Sequence, residues 1–219
     1  MSTGLLARGR YLYSRDGQRQ PVIEPWSLQQ VDGALLLSGQ RIVDGVSLLE
    51  VSARYRGRRC EQFKLHWHGA LPRSAEYQLQ QGELRWKPAP DDAWASAPEA
   101  HCSLLFPLLR AAAGPLLGLL AGQPAKVCVP DIRDPDLTDQ FLRPLCSQRR
   151  AELLEGADGA ARHYRYYGGE YGDAGADYWV DGHELLTRYR WAAPNGRWEV
   201  VLEELEVAEG YTGFDSQDS

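Results

Sequence analysis

Several signals that would narrow the function are scarce or missing in this chain. It carries 24 lysines and arginines against 30 aspartates and glutamates, a net charge of -6 with a pI near 5.4. The net basic face typical of nucleic-acid-binding proteins is therefore not indicated. The four cysteines lie far apart and form no CxxC pair of the kind found in zinc or redox motifs. We expect no nucleic-acid partner and take the cysteines as free thiols.

An export signal is also missing at the N-terminus. The opening sequence MSTGLLARGRYLYS has no charged segment followed by an apolar stretch and a small-residue cleavage site. A cytoplasmic location is the expectation, and a reducing compartment agrees with unpaired cysteines. Residues 1–210 are predicted to form a single β-rich domain with a helical insert at about 101–121. The polar ending at 211–219 is predicted to be a disordered tail.

Only one long apolar run is present, LLFPLLRAAAGPLLGLLA at residues 104–121. About 18 apolar residues are the lower limit for a membrane span, but Arg110 lies inside this run and Pro107 and Pro115 interrupt it. An arginine at the centre of a span is costly, so we predict no stable membrane insertion. The run is instead predicted to be a broken helix, with the prolines starting or kinking helical pieces. Because it is hydrophobic nearly all round, we expect it inside the curve of a sheet.

The rest of the chain shows the two-residue alternation of strands, broken by Gly, Pro and Asp. Asp-Gly pairs at 32–33 and 44–45 are typical of tight hairpins. The predicted strands span 9–14, 22–31, 34–43, 46–55, 60–68, 75–80, 83–86, 126–129, 147–155, 162–167, 176–181, 185–191 and 197–207. The predicted fold class is mainly β with a helical insert: a strongly curved antiparallel sheet, or half-barrel, wrapped around an apolar broken helix.

Successive side chains of a strand point to opposite faces of the sheet, and in the later strands this places aromatic residues on one face and basic residues on the other. Tyr166 points away from its neighbour Arg165, and Tyr189 and Trp191 point away from Arg188. One interpretation is a half-buried sheet with solvated arginines outside, since long basic side chains are rarely buried. The other is an arginine-rich groove for an anionic head group, which guanidinium binds bidentately.

The aromatic content is biased towards residues with a polar tip, with 11 Tyr and 7 Trp against 4 Phe. Such side chains suit the walls of ligand cavities, and they suit cross-strand packing equally well. The candidate wall of a cavity between the insert and the sheet consists of Tyr166, Tyr178, Tyr189 and Trp191. The candidates for binding an anionic head group are Arg110, Arg165 and Arg188.

A family resemblance is carried by the last strands, HYRYYGGEYGDAGADYWVDGHELLTRY. The order Tyr164-x-Tyr166, then DYWVD at 177–181, then Leu185-Leu186 and Tyr189 resembles the closing strands of bacterial glycolipid-binding proteins. It is also similar to lipoprotein-carrier half-barrels, which wrap a curved antiparallel sheet around helices and bind acyl chains. The resemblance covers roughly the last fifty residues and the layout of a meander before a helical insert. It implies a half-barrel that binds a lipid-like ligand.

No motif of a known catalytic class is present, and no catalytic residue is predicted. His66 and His68 share one strand face and could be two metal ligands, but a zinc site needs at least one more protein ligand. An exposed pair is the simpler interpretation, and the alternative stays open. The acidic loop at 129–139 lacks the spacing of a calcium loop, and Arg133 is expected to pair within it. We therefore predict no metal site and no cofactor.

Three hypotheses for function remain. The first is a binding or carrier protein for a small hydrophobic ligand: an acyl chain, isoprenoid or glycolipid. The second is a cofactor-free isomerase, cyclase or lyase acting on a hydrophobic substrate in the same pocket. The third is a structural or interaction domain with a filled core. A pocket with strongly perturbed acids would favour the enzyme, whereas tyrosine hydroxyls and arginines would favour the carrier. The oligomeric state is left open.

Overall fold

The fold is built almost entirely from β-strands. The structure is a computed structural model, and it describes residues 3–89, 91–137, 139–155 and 161–214. Every predicted strand has a counterpart, and β8 and β9 go beyond the prediction. The strands are β1 Thr3–Arg15, β2 Gln18–Val31, β3 Ala34–Val43, β4 Val46–Arg56, β5 Arg59–Trp67, β6 Arg73–Gln80, β7 Glu83–Lys87, β8 Ala95–His101, β9 Leu104–Leu105, β10 Ala125–Pro130, β11 Pro144–Glu155, β12 Arg162–Tyr167, β13 Ala176–Val180, β14 Leu186–Ala193 and β15 Gly196–Val207.

The described strands belong to one sheet, in the order β8-β7-β6-β5-β4-β3-β2-β1-β15-β14-β13-β12-β11-β10-β9. Neighbouring strands pair antiparallel, except that β9 and β10 are parallel. Near the middle of this order, β1 pairs with both β2 and β15. The chain thus makes one meander outward from β1 to β8 and a second meander back from β9 to β15.

The tight turns between the early strands follow from their Asp-Gly pairs. Asp32 and Asp44 both have a φ of 50°, and the glycines after them, Gly33 and Gly45, have φ of 77° and 80°. Two consecutive residues of positive φ are what a two-residue hairpin needs to match the twist of its strands. The hairpins predicted from these pairs are confirmed.

The sheet curves strongly and buries its concave face. Along β4 the buried side chains alternate with outward ones, and they are Leu49, Val51, Ala53 and Tyr55. β9, at one edge of the sheet, packs against β5. Arg58 Nε donates to Glu184 Oε1 at 2.8 Å, and the Tyr77 hydroxyl donates to the carbonyl of Leu142. These contacts join the two halves, and the predicted fold class, a curved antiparallel sheet around an apolar helix, is confirmed.

The apolar insert is helical over a shorter range than predicted. A 3₁₀ turn at Arg110–Ala112 leads into α1, Ala113–Gly122. The predicted helix start at about residue 101 is too early, because Leu104 and Leu105 form backbone pairs with β10 instead. Leu108 has a φ of 65°, which a right-handed helix cannot include. Pro115 lies in the first turn of α1, where the N–H groups have no intrahelical partner and proline does not kink the helix.

Helix α1 packs closely against the loop between β13 and β14. A Cβ built on Gly114 would lie 1.8 Å from the backbone oxygen of Glu184. A side chain at this position would push the helix away from the loop, so a glycine is required. The apolar side chains of Leu116, Leu117 and Leu120 are buried around this contact. The helix is thereby held inside the curve of the sheet.

Part of the predicted C-terminal tail is packed. Tyr211 and Phe214 are buried, and the ring of Phe214 meets that of Tyr55 edge-on at 5.3 Å between centroids. The prediction of disorder from residue 211 therefore does not hold for 211–214, because these aromatic rings reach the core. Residues 215–219 lie outside the described residues.

No helix in the described parts of the chain is long and apolar enough to cross a bilayer.

Candidate functional site

A cavity of about 460 Å³ lies between α1 and the second half of the sheet. Helix α1 and the segment before it form one wall, β10 and β11 form another, and β12 and β13 supply tyrosines. The cavity therefore lies between the insert and the tyrosine-bearing strands, and its volume is within the range of small-ligand sites. Its apolar lining includes Phe106, Leu108, Leu116, Leu117, Val129 and Ile132.

A buried carboxylate anchors the start of the helical segment beside this cavity. Glu24 in β2 is fully buried, and its Oε2 accepts hydrogen bonds from the Tyr13 hydroxyl at 2.9 Å and from Arg41 Nη2 at 3.1 Å. Its Oε1 accepts from the backbone N–H of Arg110 at 2.5 Å. Arg41 also donates to the carbonyl of Leu108 at 2.9 Å. A buried charge is tolerated when it is paired and hydrogen-bonded, so this network neutralises Glu24 with Arg41.

The guanidinium of Arg110 lines the cavity and contacts two tyrosines. Its Nε donates to the Tyr13 hydroxyl at 3.2 Å, and its central carbon lies 4.9 Å from the ring centroid of Tyr189. Among the residues that the structure describes, no carboxylate forms an ion pair with this side chain. The ring contact stabilises the cation, and Glu24, which is already paired with Arg41, attracts it without a direct ion pair.

Arg149 in β11 is a second arginine that lines the cavity, and only 6% of it is exposed. Its Nε donates to Ser147 Oγ at 2.8 Å and its Nη1 to the carbonyl of Gly168 at 2.9 Å. A Cβ built on Gly169 would lie 1.6 Å from Nη1. The missing side chain at Gly169 therefore makes room for the guanidinium, and within the described chain this group also forms no ion pair.

Two other charged side chains that line the cavity, Arg133 and Glu170, are exposed. Arg133 donates to Asp131 through Nε at 2.9 Å and through Nη2 at 2.6 Å. These hydrogen bonds lower the pKa of Asp131, so it stays ionised and its charge is cancelled locally. Glu170 lines the cavity from an exposed position. The pairing of Arg133 within its loop agrees with the prediction, and the inner wall keeps the positive charges of Arg110 and Arg149.

Four tyrosines form a packed cluster at the aromatic end of the cavity. The ring of Tyr178 stacks on Tyr189 at 4.3 Å between centroids and meets Tyr166 edge-on at 5.7 Å. The Tyr189 hydroxyl donates to the hydroxyl of Tyr171. Burial raises the pKa of all four phenols. They are therefore neutral hydrogen-bond donors at neutral pH.

The predicted wall residues divide into two layers. Tyr166 and Tyr178 line the cavity together with Arg110. Tyr189 lies behind them, in contact with Tyr178 and Arg110. Trp191 stacks on Tyr189 at 4.4 Å between centroids and does not line the cavity.

Two predicted head-group arginines lie on the other face of the sheet. Arg165 Nη1 contacts both carboxylate oxygens of Asp177, at 2.8 and 2.7 Å. Arg188 Nε donates to Glu199 Oε1 at 2.5 Å, and its guanidinium lies 5.4 Å from the ring centroid of Trp179. The structure thus brings neither residue to the cavity. Both form ion pairs on the outer face, in agreement with the interpretation that the arginines lie outside a half-buried sheet.

His66 on β5 and His68, which follows the end of that strand, lie away from the cavity. His66 Nδ1 is 3.0 Å from Ser74 Oγ, and His68 Nε2 is 3.5 Å from Glu50. Their ring centroids are 6.5 Å apart. The described residues contain no group of three or more His, Cys, Asp and Glu side chains placed to hold a metal ion.

Sequence reasoning missed three charged residues of this region, Glu24, Arg41 and Arg149. The alternation of inward and outward side chains along each strand could have revealed all three. Glu24 shares its side of β2 with the buried Trp26 and Leu28, so alternation alone turns its carboxylate inward. Arg41 and Arg149 likewise occupy inward positions of β3 and β11. A charged residue at an inward position is a strong indication of a site, because such residues are rarely buried without a partner.

One comparison with known proteins bears on the fold. The chain is similar to the crystal structure of a β-barrel-like protein of the domain of unknown function DUF1849 from Brucella abortus, with a TM-score of 0.51. The sequence identity is 8%, and the similarity covers 94% of this chain and 98% of that one. At this identity the likeness shows a shared β-barrel-like fold alone. No protein-family model and no curated protein sequence matches the chain.

Proposed function

We propose that this protein binds or carries a small hydrophobic ligand with an anionic group, such as a fatty acid, an isoprenoid phosphate or an acidic glycolipid. The observation that carries the proposal is the pair of cavity-lining guanidinium groups, Arg110 and Arg149, which have no acidic partner in the described chain. Removing two cations from water without a counter-ion is unfavourable. A ligand carboxylate or phosphate would neutralise them with charge-assisted hydrogen bonds.

The remainder of the cavity suits the hydrophobic part of such a ligand. Leu116 and Leu117 present apolar surface from α1, and Val129 presents it from the facing strand. Tyr166 and Tyr178 add apolar ring faces, and their neutral hydroxyls can donate to an oxygen of the ligand. This combination of an apolar wall and a few convergent polar groups is typical of small-molecule sites.

The pKa shifts support binding over acid–base catalysis. A general acid or base works best with a pKa near the operating pH. Burial raises the pKa of the cavity tyrosines further above neutrality, and the hydrogen bonds from Arg133 lower that of Asp131 further below it. These shifts favour fixed charges and fixed donors, as a carrier needs.

The resemblance of the last strands to glycolipid-binding proteins and lipoprotein-carrier half-barrels points the same way. In this proposal residues 1–210 act as one domain, since the described strands belong to one sheet. The ligand would lie between that sheet and α1, where half-barrel carriers hold an acyl chain.

Filling the cavity tests this proposal. We expect the wild-type protein to bind a fluorescent fatty-acid probe at micromolar concentration. Leu116→Trp adds a large ring inside the cavity and should weaken binding by about tenfold or more, which is a loss of about 1.4 kcal/mol. Leu205→Trp, on an exposed position of β15, is the matched control and should leave the affinity unchanged.

Circular dichroism and thermal unfolding of both variants would show whether the fold is kept. Absence of probe binding by the wild-type protein, or equal affinities of the wild-type and Leu116→Trp proteins, would contradict the proposed function.

A further inference from the structure

Three cysteines that are far apart in the sequence meet at the β9 edge of the sheet. Cys128 in β10 lies directly opposite Cys146 in β11. Cys102, just before β9, has its sulfur 2.9 Å from the carbonyl oxygen of Leu104, and the three thiols are close enough to influence one another's pKa. Within the described residues these thiols are not arranged to hold a metal ion. Their chemistry is therefore that of thiols.

The pairing of β10 with β11 sets the distance between Cys128 and Cys146. Pro130 and Pro144 face each other two residues along the same ladder. Neither proline has an N–H group, so this pair cannot exchange backbone hydrogen bonds. Because hydrogen-bonded and non-hydrogen-bonded pairs alternate, Cys128 and Cys146 also form a non-hydrogen-bonded pair, in which the Cα atoms are about 4.5 Å apart.

That spacing permits a disulfide. Bridged cysteines have Cα atoms about 4.4–6.8 Å apart, and both side chains here project from the same face of the strand pair. Cys146 is partly exposed, whereas Cys128 is fully buried. An oxidant in solution would therefore meet Cys146 first.

We propose that Cys128 and Cys146 form a reversible disulfide by exchange with a low-molecular-weight disulfide, RSSR. The Cys146 thiolate attacks RSSR, forms a mixed disulfide and releases RS⁻. The Cys128 thiolate then attacks the Cys146 sulfur and releases the second RS⁻. The two cysteines lose two electrons and two protons, and RSSR is reduced to two RSH.

The cross-link would join two strands that form a wall of the cavity. Val129 and Pro130 follow Cys128, Leu145 and Ser147 flank Cys146, and all four line the cavity. The disulfide would fix the relative position of these strands. The inference depends only on the strand pairing, so it stands or fails independently of the proposed function.

Peptide mapping of the folded, full-length protein tests the inference. The protein would be incubated with oxidised glutathione, its remaining thiols alkylated, and the product digested with trypsin. The cleavage sites put the cysteines on separate peptides, with Cys128 in 127–133 and Cys146 in 134–149. We expect an intact mass lower by two hydrogens, a linked pair of these two peptides, and full reversal by dithiothreitol.

Two variants complete the test. Cys60→Ser removes a buried thiol whose pKa none of the three clustered cysteines influences, and it should leave the cross-link unchanged. Cys146→Ser should abolish it. A stable glutathione adduct on Cys146 without a cross-link, a disulfide involving Cys102 instead, or no mass change in the folded wild-type protein would overturn the inference.

Discussion

The buried carboxylate of Glu24 offers the sharpest test of how the helical segment is anchored. Glu24→Gln keeps the size of the side chain and one acceptor oxygen but removes the charge that neutralises Arg41. None of the Glu24 side chain and only 15% of the Arg41 side chain are exposed. Removing one partner of such a pair costs about 3–5 kcal/mol, because the other charge stays buried without a counter-ion.

That loss is measurable by thermal or urea unfolding. In a chain of this size about 2–4 °C of melting temperature is lost per kcal/mol, so Glu24→Gln should lower it by roughly 6–20 °C. Glu206→Gln is the matched control, since Glu206 pairs with Arg8 at 2.6 Å on the surface, where its side chain is 61% exposed. Exposed pairs contribute only about 0–1 kcal/mol.

A double-mutant cycle separates the charge effect from packing. Arg41→Met alone leaves Glu24 buried and unpaired and should also be strongly destabilising. The double variant removes both charges and should lose less than the sum of the two single losses, since the two side chains are in contact. If Glu24→Gln destabilises no more than Glu206→Gln, or if the two effects are additive, the buried network is not what anchors the helical segment.

Two further predictions follow from the same region. Gly169→Ala should lower the melting temperature more than Gly33→Ala. Both glycines have a positive φ, of 61° and 77°, but only a Cβ at position 169 would collide with Arg149. Equal losses in a thermal melt would count against the packing described for Arg149. The free energy of unfolding, measured in urea at a series of pH values, should fall as the pH rises above the ordinary tyrosine pKa of about 10. Burial raises the pKa values of Tyr166, Tyr171 and Tyr178, so the unfolded chain releases those protons first. A constant free energy between neutrality and pH 11 would refute this reasoning.

Local sequence rules were sufficient for most of the fold. Alternation located the strands, and Asp-Gly pairs located hairpins, because both depend on neighbouring residues. The start of the helix was predicted too early, because periodicity cannot distinguish a short buried strand from a helix. Leu104 and Leu105 are extended because β10 offers them backbone partners, and those partners come from residues more than twenty positions later.

The candidate site was harder to predict for the same reason. Arg110, Tyr166 and Tyr178 were found from their residue types and the neighbouring pattern. The inward position of Arg149 follows from the alternation along its strand, but its place in the same cavity as Arg110 depends on how far the sheet curves. Arg165 and Arg188 were offered as ligands because arginine binds anions, yet alternation already opposed them to buried tyrosines and so placed them outside.

The preference of the cavity for an anion is the central claim, and one comparison of affinities tests it most directly. Displacement of a fluorescent probe would be measured for a saturated fatty acid and for the alcohol of the same chain length. A hydrogen bond to a charged group contributes about 1.5–3 kcal/mol, so the wild-type protein should bind the acid at least about tenfold more tightly than the alcohol. Arg149→Gln should remove most of that preference, whereas Arg188→Gln on the outer face should retain it. Equal wild-type affinities for the acid and the alcohol, or a preference unchanged by Arg149→Gln, would contradict the account.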